Sequence, residues 1–517
     1  MKTEQGSQVK KAALAAGVGA VLVGCALMFV PDKDQGPPAG PKERAMAAVG
    51  AGAPASLVDL TELIRDRESW LRKHPKDEES WAVLGSAYVQ RGIRAADSAY
   101  YPKADQALQQ SLAVRPADRG NLEALVGMAT LANARHDFTA AKEWGETVVR
   151  QKPGMWTAYP VLIDAYNGLG DYAAARKALN KLNRLRPGTP VLARTAAVHH
   201  GRGWREDAVV KATEASTRAG SAVERAQALH TLGELAWERG EPQEALRHYD
   251  SALVAAHDQP TSLVGRARAL AALGRTDEAY QDYQTALEKL PLPEYALELG
   301  ELSESMGLDG DAKTQYTTLA ERAERAQSDG VNQELVLARF EADHADPGAA
   351  VLRMRTEWDR GHRSVDVADA LGWALFRAGA GQEALPYAKK AAEQSPGSAL
   401  FLYHLGEIER SLEMYGPARR HIGEALRANP YFSPLMAPKA REALAALGEP
   451  SGGGPKDMYG DGSTGDSGSG PGTGTVPPGK PVPQRPLAPP RKTDPVLPGA
   501  PAKHARAAEA PGALVRE

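Results

Sequence analysis

The chain has a single cysteine among its 517 residues, Cys25, so no internal disulfide can form and no cysteine pair can bind a metal. Aromatic residues make up only 6% of it, and runs of β-branched residues are scarce, which argues against a sheet protein. The net charge of −3 is close to neutral for this length and gives no global reason to expect nucleic acid as a partner. Catalytic signatures are also missing. There is no Gly-x-Ser-x-Gly and no His-Glu-x-x-His. Gly474 to Lys480 imitates a phosphate-binding loop, but Pro481 stands where Ser or Thr would hold magnesium. His199 and His200 are adjacent and would point about 100° apart on a helix, a poor arrangement for joint metal ligation. Asp309-Gly310-Asp311 reads as a turn and lacks the rest of a calcium loop. No enzyme activity, cofactor, metal or small-molecule substrate is expected.

What the chain does have is helix formers. Ala, Leu, Arg and Glu recur from Ser56 to Gly448, so this region reads as all-α. Leu57, Leu60, Leu63, Ile64 and Leu71 fall at helical spacing and end at Pro75. Beyond them a repeat appears. A small residue is followed by a bulky one four positions on, a small or apolar one three further, and often a proline five beyond that. Ala279, Tyr283, Ala286 and Pro291 show the pattern, as do Ala418, Ile422, Ala425 and Pro430. The small residues are Ala104, Ala141, Ala175, Ala208, Ala245, Ala279, Ala312, Ala350, Ala384 and Ala418, and the 34-residue gap between them recurs four times. Each first helix carries its own mark. Trp81-x-x-Leu84-Gly85-x-x-Tyr88 is the fullest, and Leu232-Gly233, Leu299-Gly300, Leu371-Gly372 and Leu405-Gly406 keep its centre.

This pattern resembles the tetratricopeptide repeat family over Ser80 to Pro430. The resemblance implies about ten helix–turn–helix units stacked into a right-handed superhelical solenoid, because one helix pair cannot bury its apolar face alone. Three departures stand out. The seven extra residues between Trp81 and Ala104 place a long loop or an extra turn at Arg94 to Tyr101. The unit around Ala350 has Asp346-Pro347-Gly348 between its helices and no Leu-Gly pair, and the unit around Ala208 has His199 where a tyrosine is usual. Ala437 to Leu447 reads as a capping helix.

Four segments follow: 1–30 as a membrane segment, 31–54 as a Pro/Gly/Ala linker, 55–448 as the solenoid, and 449–517 as a disordered Gly/Pro/Ser-rich tail. Ala12 to Val30 is uncharged for 19 residues, with Lys10 and Lys11 before it and Asp32 and Asp34 after it. It reads as a signal anchor that leaves the N-terminus in the cytoplasm and the repeats outside. Two alternatives stay open: a lipoprotein signal that lipidates Cys25, since Leu22-Val23-Gly24-Cys25 is similar to a lipobox, and a cleaved secretory signal. In the tail, Pro483-x-x-Pro486 and its neighbours are the pattern of a polyproline II ligand or of a solvated spacer.

The family resemblance implies that the first helix of every unit lines an inner groove and that a protein or peptide lies there. Carried onto this chain, the groove residues are Glu234 and Trp237, then Arg268, Glu301, then Trp373, Phe376 and Arg377, then Tyr403, Glu407 and Arg410. Trp373 and Phe376 would form an apolar shelf beside the cation of Arg377, or else belong to the core. Two functions are consistent with this: a membrane-tethered binding scaffold, and an accessory assembly factor of a cell-envelope or cofactor-maturation enzyme system. The Ala- and Arg-rich style is similar to that of membrane-anchored repeat proteins of actinobacteria.

Overall fold

The computed structural model describes residues 55–448, apart from 202 and 258, together with the isolated residues 40, 43 and 46. The anchor, lipidation and tail expectations lie outside these residues. Among the described residues there is no strand, and no helix is long and apolar enough to cross a membrane.

The segment opens with α1 (Leu57–Lys73) and then forms ten helical hairpins. These pair α2 (Glu78–Ala95) with α3 (Tyr100–Val114), α4 (Leu122–Ala134) with α5 (Phe138–Gln151), and α6 (Ala158–Gly168) with α7 (Tyr172–Leu185). Next come α8 (Thr189–His200) with α9 (Arg205–Thr217), α10 (Ala222–Glu238) with α11 (Pro242–Ala255), and α12 (Pro260–Ala272) with α13 (Thr276–Lys289). The remaining pairs are α14 (Pro293–Ser305) with α15 (Asp309–Ser328), α16 (Glu334–His344) with α17 (Pro347–Asp359), α18 (Val365–Arg377) with α19 (Gly381–Gln394), and α20 (Ala399–Ser411) with α21 (Tyr415–Ala428). A last helix, α22 (Met436–Ala446), closes the series.

Local chemistry sets the ends. Asp77, Asn121, Asp137, Asp171, Ser221, Ser364 and Ser398 each accept a hydrogen bond from a backbone N–H in the first turn of the helix they precede. Second helices α7, α13, α19 and α21 stop two residues before Pro187, Pro291, Pro396 and Pro430.

Packing follows the alanine phase. Nine of the ten marked alanines have no exposed surface, and Ala312 has 3%. At Ala104, Ala384 and Ala418 the two helices of a hairpin approach closely: the alanine carbonyl would stand 3.2 Å from a Cβ on Gly85, Gly372 and Gly406. The first-helix glycines complete the contact. A Cβ on Gly233 would stand 2.5 Å from Tyr249 of the same hairpin, and one on Gly265 of the next unit would stand 2.3 Å from the same ring. Tyr249 therefore fills a slot between two successive first helices and is fully buried. Leu108 occupies the same kind of slot between Gly85 and Gly127.

Of the loop or extra turn expected at Arg94 to Tyr101, the structure shows added helix: α2 runs on to Ala95 and α3 begins at Tyr100. One local expectation is corrected. Asp309-Gly310-Asp311 is not a turn but the start of the 20-residue α15, where its two carboxylates favour the positive end of the helix dipole.

The hairpins wind until the chain meets itself. His136 Nδ1 lies 2.9 Å from the Asn332 carbonyl, and the Asn332 N–H donates to the Arg135 carbonyl at 2.9 Å. Tyr172 accepts a hydrogen bond from the Val365 N–H at 2.9 Å, Arg205 donates to the Gly397 carbonyl at 2.7 Å, and Asn429 donates to the Trp237 carbonyl at 2.8 Å. The partners are 192 to 197 residues apart. One turn of the superhelix therefore takes roughly five and a half units of 34 residues. Turns inside the early hairpins rest on the loops that precede α16, α18, α20 and α22. Gly170 shows how tight the seam is. Its φ is +76°, and a Cβ would stand 2.3 Å from the Arg363 carbonyl oxygen.

Candidate functional site

The first helix of a hairpin presents residues at i, i+3 or i+4 and i+7 on one face. Val83, Ser86 and Gln90 of α2 and Val126, Thr130 and Asn133 of α4 are such sets, and they line a cavity of about 1600 Å³. Helices α6 and α8 extend this wall with Pro160, Asp164 and Arg194. Its far side is built from residues a turn further along the chain: Pro291 to Glu294, Arg322 and Arg325 of α15, and Gln333. The seam thus turns an open groove into a two-walled cavity.

A second cavity, of about 610 Å³, lies in the later units. Arg268, Glu298, Glu301, Asp369, Trp373 and His404 are among its lining residues. Here the polar groups are largely paired with one another. Tyr249 donates to Glu234 at 2.7 Å, and Arg268 bridges Glu234 at 3.2 Å and Glu298 at 2.7 Å. Tyr283 donates to Glu298 at 2.9 Å. Burial opposes the charge on Glu234, but Arg268 and His230 outweigh it and hold the carboxyl below its usual range. For Glu301 burial prevails and raises the carboxyl, with His344 pulling the other way. His344 itself is raised: burial opposes its charge, and Glu301, Glu304 and Asp343 overcome that.

The ten groove residues expected from the sequence separate into two groups. Trp373, Phe376, Arg377, Tyr403, Glu407 and Arg410 come together around a smaller cavity of about 430 Å³, which Met436, Lys439 and Glu442 of α22 border. Trp237, Arg268 and Glu301 line the 610 Å³ cavity, with Glu234 behind Arg268. The open apolar shelf is corrected. Trp373 is 6% exposed, donates to Asp343 at 3.0 Å and stacks on His404 at 3.9 Å. Tyr403 and Glu407 are buried too, and Arg377 is held by Asp343 at 2.8 Å. An indole N–H with a carboxylate partner and a packed ring face belongs to the core.

Sequence reasoning placed no site in the early units, yet their wall bounds the cavity of about 1600 Å³. The signal was weak because Ser86, Thr130 and Thr157 are not residue types that mark a hot spot. The opposite wall comes from about 200 residues away, beyond the reach of any local pattern.

Residues 230–292 match the family model for the tetratricopeptide repeat. The chain is similar to the tetratricopeptide repeat and J domain-containing co-chaperone DNJ1 of Fusarium oxysporum f. sp. lycopersici, with 31% identity over 187 residues. That match takes in 34% of this chain and spans 36% of the length of the relative. Among solved structures, a tetratricopeptide repeat protein from Parabacteroides merdae aligns at 20% identity over 50% of this chain and 98% of its own, with a TM-score of 0.30. The human IFIT1 dimer with PPP-AAAA aligns at 15% identity over 68% of this chain and 82% of its own, with a TM-score of 0.41. Residues 230–292 thus match the tetratricopeptide repeat, and the ten hairpins among the described residues are built around the alanines that the repeat pattern marks.

Proposed function

We propose that the chain is a non-enzymatic scaffold that binds a protein partner along the inner wall of its superhelix. The observation that carries this reading is the pair of inner cavities, about 1600 and 610 Å³, lined by consecutive first helices. Cavities of this size accept a chain segment, and the repeated hairpins hold their walls in register. The family match supports the same reading.

A photo-reactive residue placed in the full chain tests it. Val83 and Phe376 line inner cavities, whereas Leu352 is 70% exposed and Val58 is 69% exposed, outside the lining of any cavity described. Partner proteins should crosslink from Val83 or Phe376 and not from Leu352 or Val58. Crosslinking confined to Leu352 and Val58 would contradict the reading.

The proposal includes a tether. The uncharged run Ala12 to Val30 after Lys10 and Lys11 supports an anchor with the repeats outside the cytoplasm. Full-length protein should stay with membranes through an alkaline carbonate wash. Recovery in the soluble cytosol would remove the tether and leave the scaffold reading in place.

A further inference from the structure

The turn inside a hairpin keeps one register along the chain. Five residues before the marked alanine the backbone is left-handed, at His136, Gly170, Gly203 and Gly240 in hairpins two to five. The same holds at Gly274, Gly307, Gly379 and Glu413 in hairpins six, seven, nine and ten. Two residues further on stands a side chain that makes the seam. Phe138 meets His362 edge-on, with ring centroids 5.6 Å apart, Tyr172 accepts from the Val365 N–H at 2.9 Å, and Arg205 donates to the Gly397 carbonyl at 2.7 Å. Tyr415 holds the same position before Ala418 that Tyr172 holds before Ala175, yet it is 56% exposed.

The early turns are covered and the late ones are bare. A Cβ on Gly170, Gly203 or Gly240 would stand 3.0 Å or less from Arg363, Pro396 or Pro430, whereas one on Gly274, Gly307 or Gly379 would meet nothing within 4 Å. Hairpins six to ten therefore present an uncovered edge of turns, on which Met306, Leu308 and Tyr415 expose apolar surface. The loops that cover the seam precede the first helices α16, α18, α20 and α22. Loops of the same kind precede α2, α4, α6, α8 and α10 at the other ends of the hairpins. There a Cβ on Gly120 or Gly154 also meets nothing within 4 Å, and Trp70 and Val114 are exposed beside them.

Charge sorts by edge. Each turn or loop is taken with the first turn of the helix after it, and only exposed side chains outside ion pairs among the described residues are compared. On the turn edge these are Asp277, Asp309, Asp311, Asp346 and Glu413, all negative. On the loop edge Lys76, Arg119, Lys152, Arg186 and Arg225 outnumber Glu79, Asp118 and Glu123. Opposite signs favour turn edge against loop edge, while a two-fold contact would set the acidic turn edge against itself. We propose that the turn edge of hairpins six to ten receives the loop edge of a second copy of this chain. The contact of the seam is then repeated between molecules, and Tyr415 takes the part that Tyr172 plays within one. Such a contact is head to tail, so each added copy leaves one edge of each kind for the next.

Sedimentation velocity of the full-length protein, in a mild detergent under reducing conditions, tests this. The parent should form species larger than one chain as its concentration rises. Salt at about 1 M, where the Debye length falls to about 3 Å, should loosen them. A turn-edge variant, Leu308→Glu with Tyr415→Ala, and a loop-edge variant, Arg119→Glu with Lys152→Glu, should each associate about tenfold or more weakly than the parent. All four positions are exposed, so helicity and melting temperature should stay at parent values. Asp277→Lys with Glu413→Lys is an independent turn-edge variant that leaves the apolar surface in place, and it should weaken association in the same way. Mixed together, the first two variants should recover one contact of parent strength and stop at a 1:1 pair, because the intact loop edge of one fits the intact turn edge of the other. A parent that stays monomeric, variants that associate as strongly as the parent, or a mixture that gains nothing over its components would overturn the proposal. The scaffold reading concerns the inner wall and would survive any of these results.

Discussion

The side-chain amide of Asn429 donates a 2.8 Å hydrogen bond to the backbone carbonyl of Trp237, 192 residues earlier. Asn429 is 3% exposed, and its other end accepts from the Tyr431 N–H at 2.9 Å. The residue thus shapes its own loop and ties it to the turn after α10. The Trp237 carbonyl also accepts from the Gly240 N–H at 2.9 Å, so replacing Asn429 with Ala removes the bond across the seam without orphaning that carbonyl and should cost about 0.5–1.5 kcal/mol. The loss should be local to the seam. Amide exchange should quicken around Trp237 and Pro430 more than around Leu299, a fully buried residue of α14. Uniform exchange across both regions would count against a distinct seam.

Gly233→Ala tests the slot around Tyr249. The new methyl would fall 2.5 Å from the ring, which is held on its other side by Gly265. Overpacking of this kind costs about 1–3 kcal/mol. Ala279→Leu should cost a similar amount, about 1–3 kcal/mol, because Ala279 has no exposed surface. Thermal unfolding of both variants checks this, and parent-like stability in either would contradict the packing described.

Trp373→Ala should lower stability by about 3–5 kcal/mol, the usual cost of removing a buried Trp. It would empty a ring position stacked on His404 and leave Asp343 without its indole donor. A variant with unchanged melting temperature would show the indole to be free of the core.

His344 gives a pH dependence of known sign. Glu301, Glu304 and Asp343 raise its pKa above 6.5, with burial opposing them. A raised histidine stabilises fully below the unfolded value, and that contribution is lost as pH rises through the folded value. The raised Glu301 carboxyl works in the same direction, from about 4.5 upward. The melting-temperature gap between the parent and His344→Gln should therefore be larger at pH 6 than at pH 8. An equal or reversed gap would contradict the pairing.

Much of the hairpin architecture was legible before any coordinates, because one alanine per unit must sit where two helices nearly touch. That constraint recurs at gaps of 33 to 38 residues, and the ten alanines it marks are buried. Burial of Trp373 was not legible in the same way. The Leu371-Gly372 mark places it on the first helix of its unit, but Asp343, His404 and the neighbouring α22 reach it from other units. The extension of α2 to Ala95 was half legible: the seven extra residues were countable, and whether they coil or lengthen helices depends on Tyr101 packing beside Gly92. The seam was not legible at all. Its partners lie more than five units apart, and the curvature that joins them is a sum of small rotations between neighbours that no single motif records.

Closure of the superhelix underlies the two-walled cavity, so the seam is the place to test the account. His136 and Asn332 meet there through a 2.9 Å contact. Replacing both with cysteine, in full-length protein with Cys25→Ser, places two thiols across the seam. Mild oxidation or a short bis-thiol reagent should link them within one molecule, seen as a single non-reducible or disulfide-bonded bridge between peptides containing positions 136 and 332. A control pair at Val58 and Leu352, both exposed and with no seam contact described, should not link. Folded, helical protein in which the 136–332 pair reacts no faster than the control would contradict the account.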